Sequence, residues 1–238
     1  MSLTQDQIRF FRQVGYLKLR GRVSRESVFA LKAKIEADIR SKIAPFKMND
    51  NGEIIRLSAL IDRNSIFFEV FTSSEVLDPL ESLLGPNIEL VRNRHNHATV
   101  NAKGHSDGRL HRDVLQWSRD IVTIILYLEN STIDNGCTHI IPSSQYFPFV
   151  GKPNNGGTWM DEHSIYKDFL DQSLPIPMNA GDILVIDSLM FHAVGLNSTD
   201  KTRMSITMGY RSVDELSRVD DPKLLLVRGQ RIYKGNDR

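Results

Sequence analysis

The sequence predicts a mainly β protein with a helical N-terminal layer, an antiparallel sandwich or barrel folded as a single domain over residues 1–238. Three observations point there. Residues 1–85 carry apolar positions at helical spacing, with capping residues where helices should start and stop. Residues 86–212 break into short β-branched runs divided by Gly, Pro, Asn and Asp, with no long helix between them, and such strands pair antiparallel. A chain of 238 residues is also long enough to enclose one sizeable core.

The first helix is expected over "LTQDQIRFFRQVG", where Thr4 as N-cap and Gln7 three residues later form a capping box and Gly15 is the stop. "YLKLRG" (16–21) alternates like a short strand. "SRESVFALKAKIEADIRSKI" sets Val28, Leu31, Ile35 and Ile39 on one helical face, capped by Ser24 with Ser27 at its third position. "DRNSIFFEVFTSSEVLDPLESLLG" reads as two short helices ending at Gly85-Pro86. The strands follow: "NIELVRNRHNHATVN", "RDIVTIILYLE", "CTHIIP", "DILVID", "MFHAVG" and "RMSITMGYR". Residues 150–180 interrupt them as a long loop rich in Pro, Asn and Gly. It holds Trp159, Asp161, Glu162, His163 and Tyr166, which could contact a polar substrate or only solvent. Residues 213–238 form a C-terminal tail.

Bulk properties exclude several classes. Thirty basic residues balance 29 acidic ones, a formal charge of +1 that creates no broad field for nucleic acid or an anionic membrane. The single cysteine, Cys137, leaves no intrachain disulfide and suits a reducing cytosol. The opening "MSLTQDQIRFFRQVGY" is polar where a secretory signal is apolar, and the longest apolar run, "IVTIILYL" (121–128), is too short to span a bilayer. The expectation is a cytoplasmic protein whose partner is a small molecule; composition is silent on oligomeric state.

The chemistry concentrates in "NAKGHSDGRLHRDVLQW" (101–117), which contains His-x-Asp twice. With seven histidines in the chain, one such pattern by chance is unsurprising. His105-Ser106-Asp107 is bracketed by Gly104 and Gly108, and Asp-Gly is turn chemistry that imposes no common side-chain direction. His111-Arg112-Asp113 sits among Leu110, Val114 and Leu115, as a strand entering a core would; strand periodicity sends His111 and Asp113 to one face and Arg112 to the other. A facial metal site of two His and a carboxylate, the arrangement of non-haem Fe(II) oxygenases, needs one more ligand. His192 in "DSLMFHAVGLN" is the candidate. A lone His on an apolar strand is often a core residue, but eleven positions later Arg203 starts "RMSITMGYR". An inward guanidinium without an anion costs several kcal/mol, on the order of a buried ion pair's broken half. A carboxylate-bearing cosubstrate would supply the partner, and Ser205 points the same way.

These motifs, in this order, resemble the phytanoyl-CoA dioxygenase family of Fe(II)/2-oxoglutarate oxygenases, whose relatives include ectoine hydroxylases. The helix, Gly-Tyr strand and long helix of residues 3–36 are similar to the family's N-terminal pattern. "LHRD" matches its metal-binding His-x-Asp, with Trp117 four residues beyond Asp113. "NSTIDNGCTHIIPSSQ" resembles an Asn-Gly and Pro-x-Ser-His stretch, with Gln145 in the usual His place. "GDILVIDSLMFHAVGLNSTDKTRMSITMGYR" matches the block of distal His and Arg. The resemblance implies a double-stranded β-helix (a cupin-like jelly roll), Fe(II) held by His111, Asp113 and His192, and 2-oxoglutarate anchored by Arg203 with Ser205. It implies O₂-dependent oxidation with release of succinate and CO₂. Halogenases of the superfamily have Gly or Ala where Asp113 stands, so hydroxylation is the expected outcome.

Further candidates are less determined. Thr123 could line the cosubstrate pocket. His95 and His97 share a strand face just upstream and could contact 2-oxoglutarate or substrate, or be locally bonded core histidines; Trp117 and Trp159 are further substrate candidates, and Arg92 or Arg94 could read an anion. The expected substrate is a small polar metabolite or natural-product intermediate. Two rivals stay open at this point: a zinc hydrolase, since the same donor set suits Zn²⁺, and a non-catalytic jelly-roll binding module.

Overall fold

In the computed structural model, residues 1–106, 110–114, 121–147, 168, 171–215 and 221–231 are described. Helix α1 (Gln5–Val14) starts with the capping box of Thr4 and Gln7 and stops at Gly15, whose φ of 87° is a left-handed conformation few residues but glycine adopt cheaply. Strand β1 (Tyr16–Leu19) follows, then α2 (Arg25–Arg40), whose cap is the Ser24 side chain accepting from the Ser27 amide. Strands β2 (Phe46–Met48) and β3 (Ile54–Ser58) form a hairpin, and α3 (Ser65–Phe71) and α4 (Ser74–Leu84) end at Gly85. The remaining strands are β4 (Ile88–Asn101), β5 (Ile121–Tyr127), β6 (Thr138–Ile140), β7 (Leu174–Ile176), β8 (Ile183–Asp187), β9 (His192–Val194), β10 (Arg203–Ser212) and β11 (Leu224–Arg228).

The strands assemble into two antiparallel sheets. The larger runs β1-β8-β5-β10-β4-β3-β2, with β11 also paired to β4; the smaller is β7-β6-β9. The architecture is a jelly roll with helices on one side, as expected. The N-terminal layer is less purely helical than its sequence suggests, because β1, β2 and β3 join the large sheet, and the C-terminal tail contributes β11. Part of the loop read over 150–180 is also strand, at β7.

Alternation along the central strands sorts the two faces. Val122, Ile124 and Leu126 of β5, Ile183 and Val185 of β8, and Met204, Ile206, Met208 and Tyr210 of β10 join the helices in the main core. Each fully buried side chain of this kind is worth roughly 1.5–3 kcal/mol against exposure, so this face carries most of the folding energy. The intervening residues face the small sheet. There Ile125, Tyr127, Leu184 and Ile186 make a second, smaller cluster with Ile140, Ile176, Met178 and Met190. Thr123, Arg203, Ser205 and Thr207 share that inner face and are polar. Polar side chains buried between two sheets need partners, and they mark where the site lies.

Candidate active site

Two backbone hydrogen bonds create the heart of the site. His111 N–H donates to the His192 carbonyl at 2.9 Å, and His192 N–H returns a bond to the His111 carbonyl at 3.0 Å. Residues that exchange both bonds point their side chains to one face. The two imidazoles accordingly lie 4.5 Å apart between ring centroids. The segment around His111 is a single bridge to β9 rather than a full strand, yet it suffices for the expected parity. Val114 N–H donates to Ser188 O at 3.1 Å and fixes the chain just beyond Asp113. Arg112 is buried, with Nη2 donating to the carbonyls of Ser144 (2.8 Å) and Phe147 (2.7 Å) and the guanidinium over Phe191.

The result is a cluster of His111, Asp113 and His192 whose candidate ligand atoms all lie within 4.8 Å of one another. His192 Nδ1 is 3.1 Å from the Met190 carbonyl, which assigns the proton to Nδ1 and leaves the Nε2 lone pair free to coordinate. Burial pushes the His192 imidazole down to about 4, so it is neutral at neutral pH, the form a metal needs. Asp113 Oδ1 is 3.7 Å from that Nε2. Its other oxygen, Oδ2, accepts from Thr123 Oγ1 at 2.5 Å and lies 3.0 Å from His95 Nε2, with Arg94 Nη2 at 4.0 Å. Burial disfavours the Asp113 carboxylate, but the electrostatic influence of His192, His95 and Arg94 and the hydrogen bond with His95 outweigh it and hold the carboxyl well below the usual range.

His95 and Arg94 reach Asp113 because β4 departs from regular strand geometry. Between the pairs Leu90↔Tyr210 and His97↔Thr207, β4 takes seven steps where β10 takes three. The excess forms a bulge with His95 (φ 64°) and Asn96 (φ 52°) both left-handed. Buried Asn96 holds it, accepting from Ile61 N–H at 3.1 Å and donating to the Arg92 carbonyl at 3.2 Å. Arg92 turns outward and pairs with Asp62, whereas Arg94 is largely buried, its Nε and Nη2 without a hydrogen-bond partner among the described residues.

A cavity of about 330 Å³ opens between the sheets, lined by His111 and His192 on one side and by Arg203, Ser205, Thr207 and His95 among others. Arg203 is 1% exposed and has no ion pair among the described residues; its guanidinium sits 5.9 Å from the Tyr127 ring centroid. His97 also faces the cavity, its Nδ1 accepting from Arg56 Nη2 at 3.0 Å. Thr123 lies behind Asp113 and bonds it without lining the cavity. His105 stands in a turn, as its neighbours suggested, but its side chain lines the cavity. Trp117, Trp159 and Asp107 lie outside the described residues. Lys47 and Arg56, which also line the cavity, were not singled out in the sequence; the alternation of "EIIRLS" beside an Asn-Gly turn was the available signal.

A jelly roll with a cluster of two His and one carboxylate, the two His lining an inter-sheet cavity that a buried arginine also lines, defines the class of 2-oxoglutarate-dependent non-haem iron oxygenases. The family model described as phytanoyl-CoA dioxygenase matches residues 11–205, and the chain belongs to that family. Among curated relatives, it is 23% identical to the methylphosphonate hydroxylase of Gimesia maris over 90% of this chain and 83% of that one. It is 22% identical to the peroxisomal phytanoyl-CoA dioxygenase of Rattus norvegicus over 89% of this chain and 69% of that one. Its fold is similar to that of the epimerase SnoN, solved with Fe3+, alpha ketoglutarate and nogalamycin RO, with a TM-score of 0.76 at 16% identity over 94% and 98% of the two chains. Among the described residues no helix is long and apolar enough to cross a membrane.

Proposed function

We propose that this chain hydroxylates a small molecule, with His111, Asp113 and His192 holding Fe(II) and Arg203 with Ser205 holding the distal carboxylate of 2-oxoglutarate. The observation that carries this reading is the buried Arg203, without an anion, across a cavity from a set of metal donors. The donors fit the metal: two imidazoles and one carboxylate leave half of an octahedron for exogenous ligands.

When bound, iron, 2-oxoglutarate and O₂ supply the oxidising chemistry, with succinate and CO₂ as coproducts. The chain's own residues do the rest. His192 enters the coordination shell without releasing a proton, because its Nε2 is already free. Thr123 and His95 occupy Asp113 Oδ2 and so direct Oδ1 toward the metal position. Arg203 offers a charge-assisted fork in a site shielded from water, where its pairing with a carboxylate is strongest. Asp113 fills the coordination position that a halogenase would leave for chloride, which supports hydroxylation, as does the likeness to a relative named a hydroxylase. A zinc hydrolase would leave the buried Arg203 and its neighbour Ser205 in the cavity unexplained.

The test is anaerobic addition of Fe(II) and 2-oxoglutarate, followed by O₂. A visible charge-transfer band and then succinate release are the expected results. A Zn²⁺-dependent, O₂-independent activity, with no band, would refute the reading.

A further inference from the structure

Resting on the oxygenase reading, we propose that His97 is a further cosubstrate-binding residue: its Nε2–H donates a hydrogen bond to the metal-end carboxylate of 2-oxoglutarate, and its bond with Arg56 fixes it in that role.

A guanidinium donates hydrogen bonds and accepts none, so the 3.0 Å contact of Arg56 Nη2 with His97 Nδ1 makes that nitrogen the acceptor. A neutral imidazole then carries its proton on Nε2. Burial, with the charges of Arg56 and His95 adding to it, pushes His97 down to about 3, so the ring is neutral at neutral pH. Arg56 acts here as a hydrogen-bond donor, whatever its charge is paired with elsewhere. His97 is 8% exposed and lines the cavity, and its Nε2 has no partner among the described residues. The acceptor for this N–H has to come from what the cavity holds.

Sheet register places this donor along the cavity. Thr123, which bonds Asp113, is opposite Gly209. Two residues further on, Ile125 is opposite Thr207 and Thr207 is opposite His97. The next row holds Tyr127, Ser205 and Thr99, and Arg203 lies one step beyond it on β10. Such rows are about 7 Å apart along a strand. His97 therefore stands one row from the metal donors and two rows short of Arg203, and its ring is 5.7 Å from that of His95, which touches Asp113. A ligand joining the metal to Arg203 crosses the His97 row near its metal end. A 2-oxo acid that chelates a metal uses the keto oxygen and one carboxylate oxygen, which leaves the second carboxylate oxygen as an acceptor.

Arg56 improves the donor without making the imidazole a cation. A guanidinium bonded to Nδ1 draws electron density from the ring and strengthens donation by Nε2–H. A protonated His97 in the same place would repel the metal ion, and a neutral one does not. The Thr207 hydroxyl in this row can rotate to donate or to accept, whereas the His97 proton is fixed. The row thus favours an acceptor oxygen and disfavours an ammonium group.

The test follows His97 itself. Full-length protein with isotope-labelled histidine, loaded with diamagnetic Zn²⁺, is studied by long-range proton–nitrogen NMR, with His97→Gln identifying the signals. The expected state before ligand is added has the proton on Nε2 and none on Nδ1. The Nε2–H resonance should then shift with 2-oxoglutarate, and also with pyruvate, which keeps the 2-oxo acid but lacks the distal carboxylate. With Mn²⁺-loaded protein, calorimetry should show both acids binding about tenfold more weakly to His97→Leu, the loss of one hydrogen bond to a charged group. His97→Gln keeps an N–H donor and should bind both close to wild type. A proton on Nδ1, an Nε2–H resonance that ignores bound 2-oxoglutarate, or a loss seen for 2-oxoglutarate and spared for pyruvate would overturn the proposal. The NMR measurement does not depend on the apolar variant, so it decides the matter if His97→Leu fails to fold. Wild type that binds no 2-oxoglutarate, or gives no charge-transfer band with Fe(II), would sink the oxygenase assignment and this proposal with it; bound 2-oxoglutarate with a silent His97 sinks this proposal alone.

Discussion

Arg203 makes the site testable through stability as well as turnover. Arg203 is 1% exposed, its Nε has no hydrogen-bond partner among the described residues, and its contact with Tyr127 is a 5.9 Å approach to the ring centroid. Glu129, whose charge also acts on it, is committed to Lys32, Thr202 and the Met204 amide. Replacing buried ionic groups by apolar residues of similar volume often stabilises a protein by about 1–4 kcal/mol. Losing the aromatic face at this long distance returns about 0.5–1 kcal/mol. The net gain for Arg203→Met is about 1–3 kcal/mol. For 238 residues the unfolding entropy is about 0.5 kcal/mol per degree, so the Tm without cosubstrate should rise by about 2–6 °C. Wild type with Mn²⁺ and 2-oxoglutarate at about 100 times its Kd should gain about 2.7 kcal/mol, near 5 °C, while the variant gains almost nothing. Scanning calorimetry with and without 2-oxoglutarate reads both effects. A variant that melts several degrees below wild type and still responds to 2-oxoglutarate would show that Arg203 is a structural residue and that the cosubstrate binds elsewhere.

Asp113→Ala should abolish succinate formation and metal binding by calorimetry; full turnover would show that the three donors are misassigned. Thr123→Val keeps the shape but removes a donor to Asp113 Oδ2, and should lower Mn²⁺ affinity about tenfold, measured by titration. His97 is pushed down to about 3 by burial, with Arg56 and His95 adding to it, while an unfolded histidine titrates near 6.5. Between those pH values the unfolded chain binds a proton that the folded chain refuses, so stability falls as pH falls, by about 1.4 kcal/mol per unit for this group. His97→Gln should flatten the urea-unfolding stability profile by about that slope between pH 6 and 4, and an unchanged slope would place the group in solvent. A Cβ at Gly209 would sit 3.1 Å from Arg94 Cδ and 3.3 Å from the Arg94 carbonyl. Gly209→Ala should therefore cost about 1–3 kcal/mol by overpacking and weaken metal binding as Arg94 shifts away from Asp113.

What was legible in the sequence was what regular geometry controls. The caps at Thr4 and Ser24, the alternation of β5 and β10, and the inward pair His111 and Asp113 follow from periods of 3.6 and 2. Arg203 was legible because a charge in an apolar strand demands a reason. What escaped lies where periodicity fails. The bulge of β4 needs two left-handed non-glycine residues, and its four extra residues become visible only against β10. The hairpin of β2 and β3 is short and sits among helices, although Asn51-Gly52 marks its turn. Lys47 and Arg56 came to line the cavity through that hairpin's pairing with β4, a long-range register that no local pattern encodes.

The same distinction explains how the site can stay open. Its candidate donors come from an isolated bridge at His111, a bend at Asp113 and a three-residue strand at His192, none of which has much stability of its own. They are held by neighbours on the large sheet, whose opposite face is packed against α1 to α4 in the main core. Thr123 and Val122 show the division within two adjacent residues: one steadies Asp113, the other is buried among the helix-facing side chains. Folding energy is thus drawn from the face that does no chemistry, and the metal need not hold the chain together as it does in a small zinc domain. A site that is not required for folding can leave coordination positions free, which is what a cosubstrate and O₂ require. It can also keep Arg94 and Arg203 buried at some cost, because the apolar face beneath them offsets that cost.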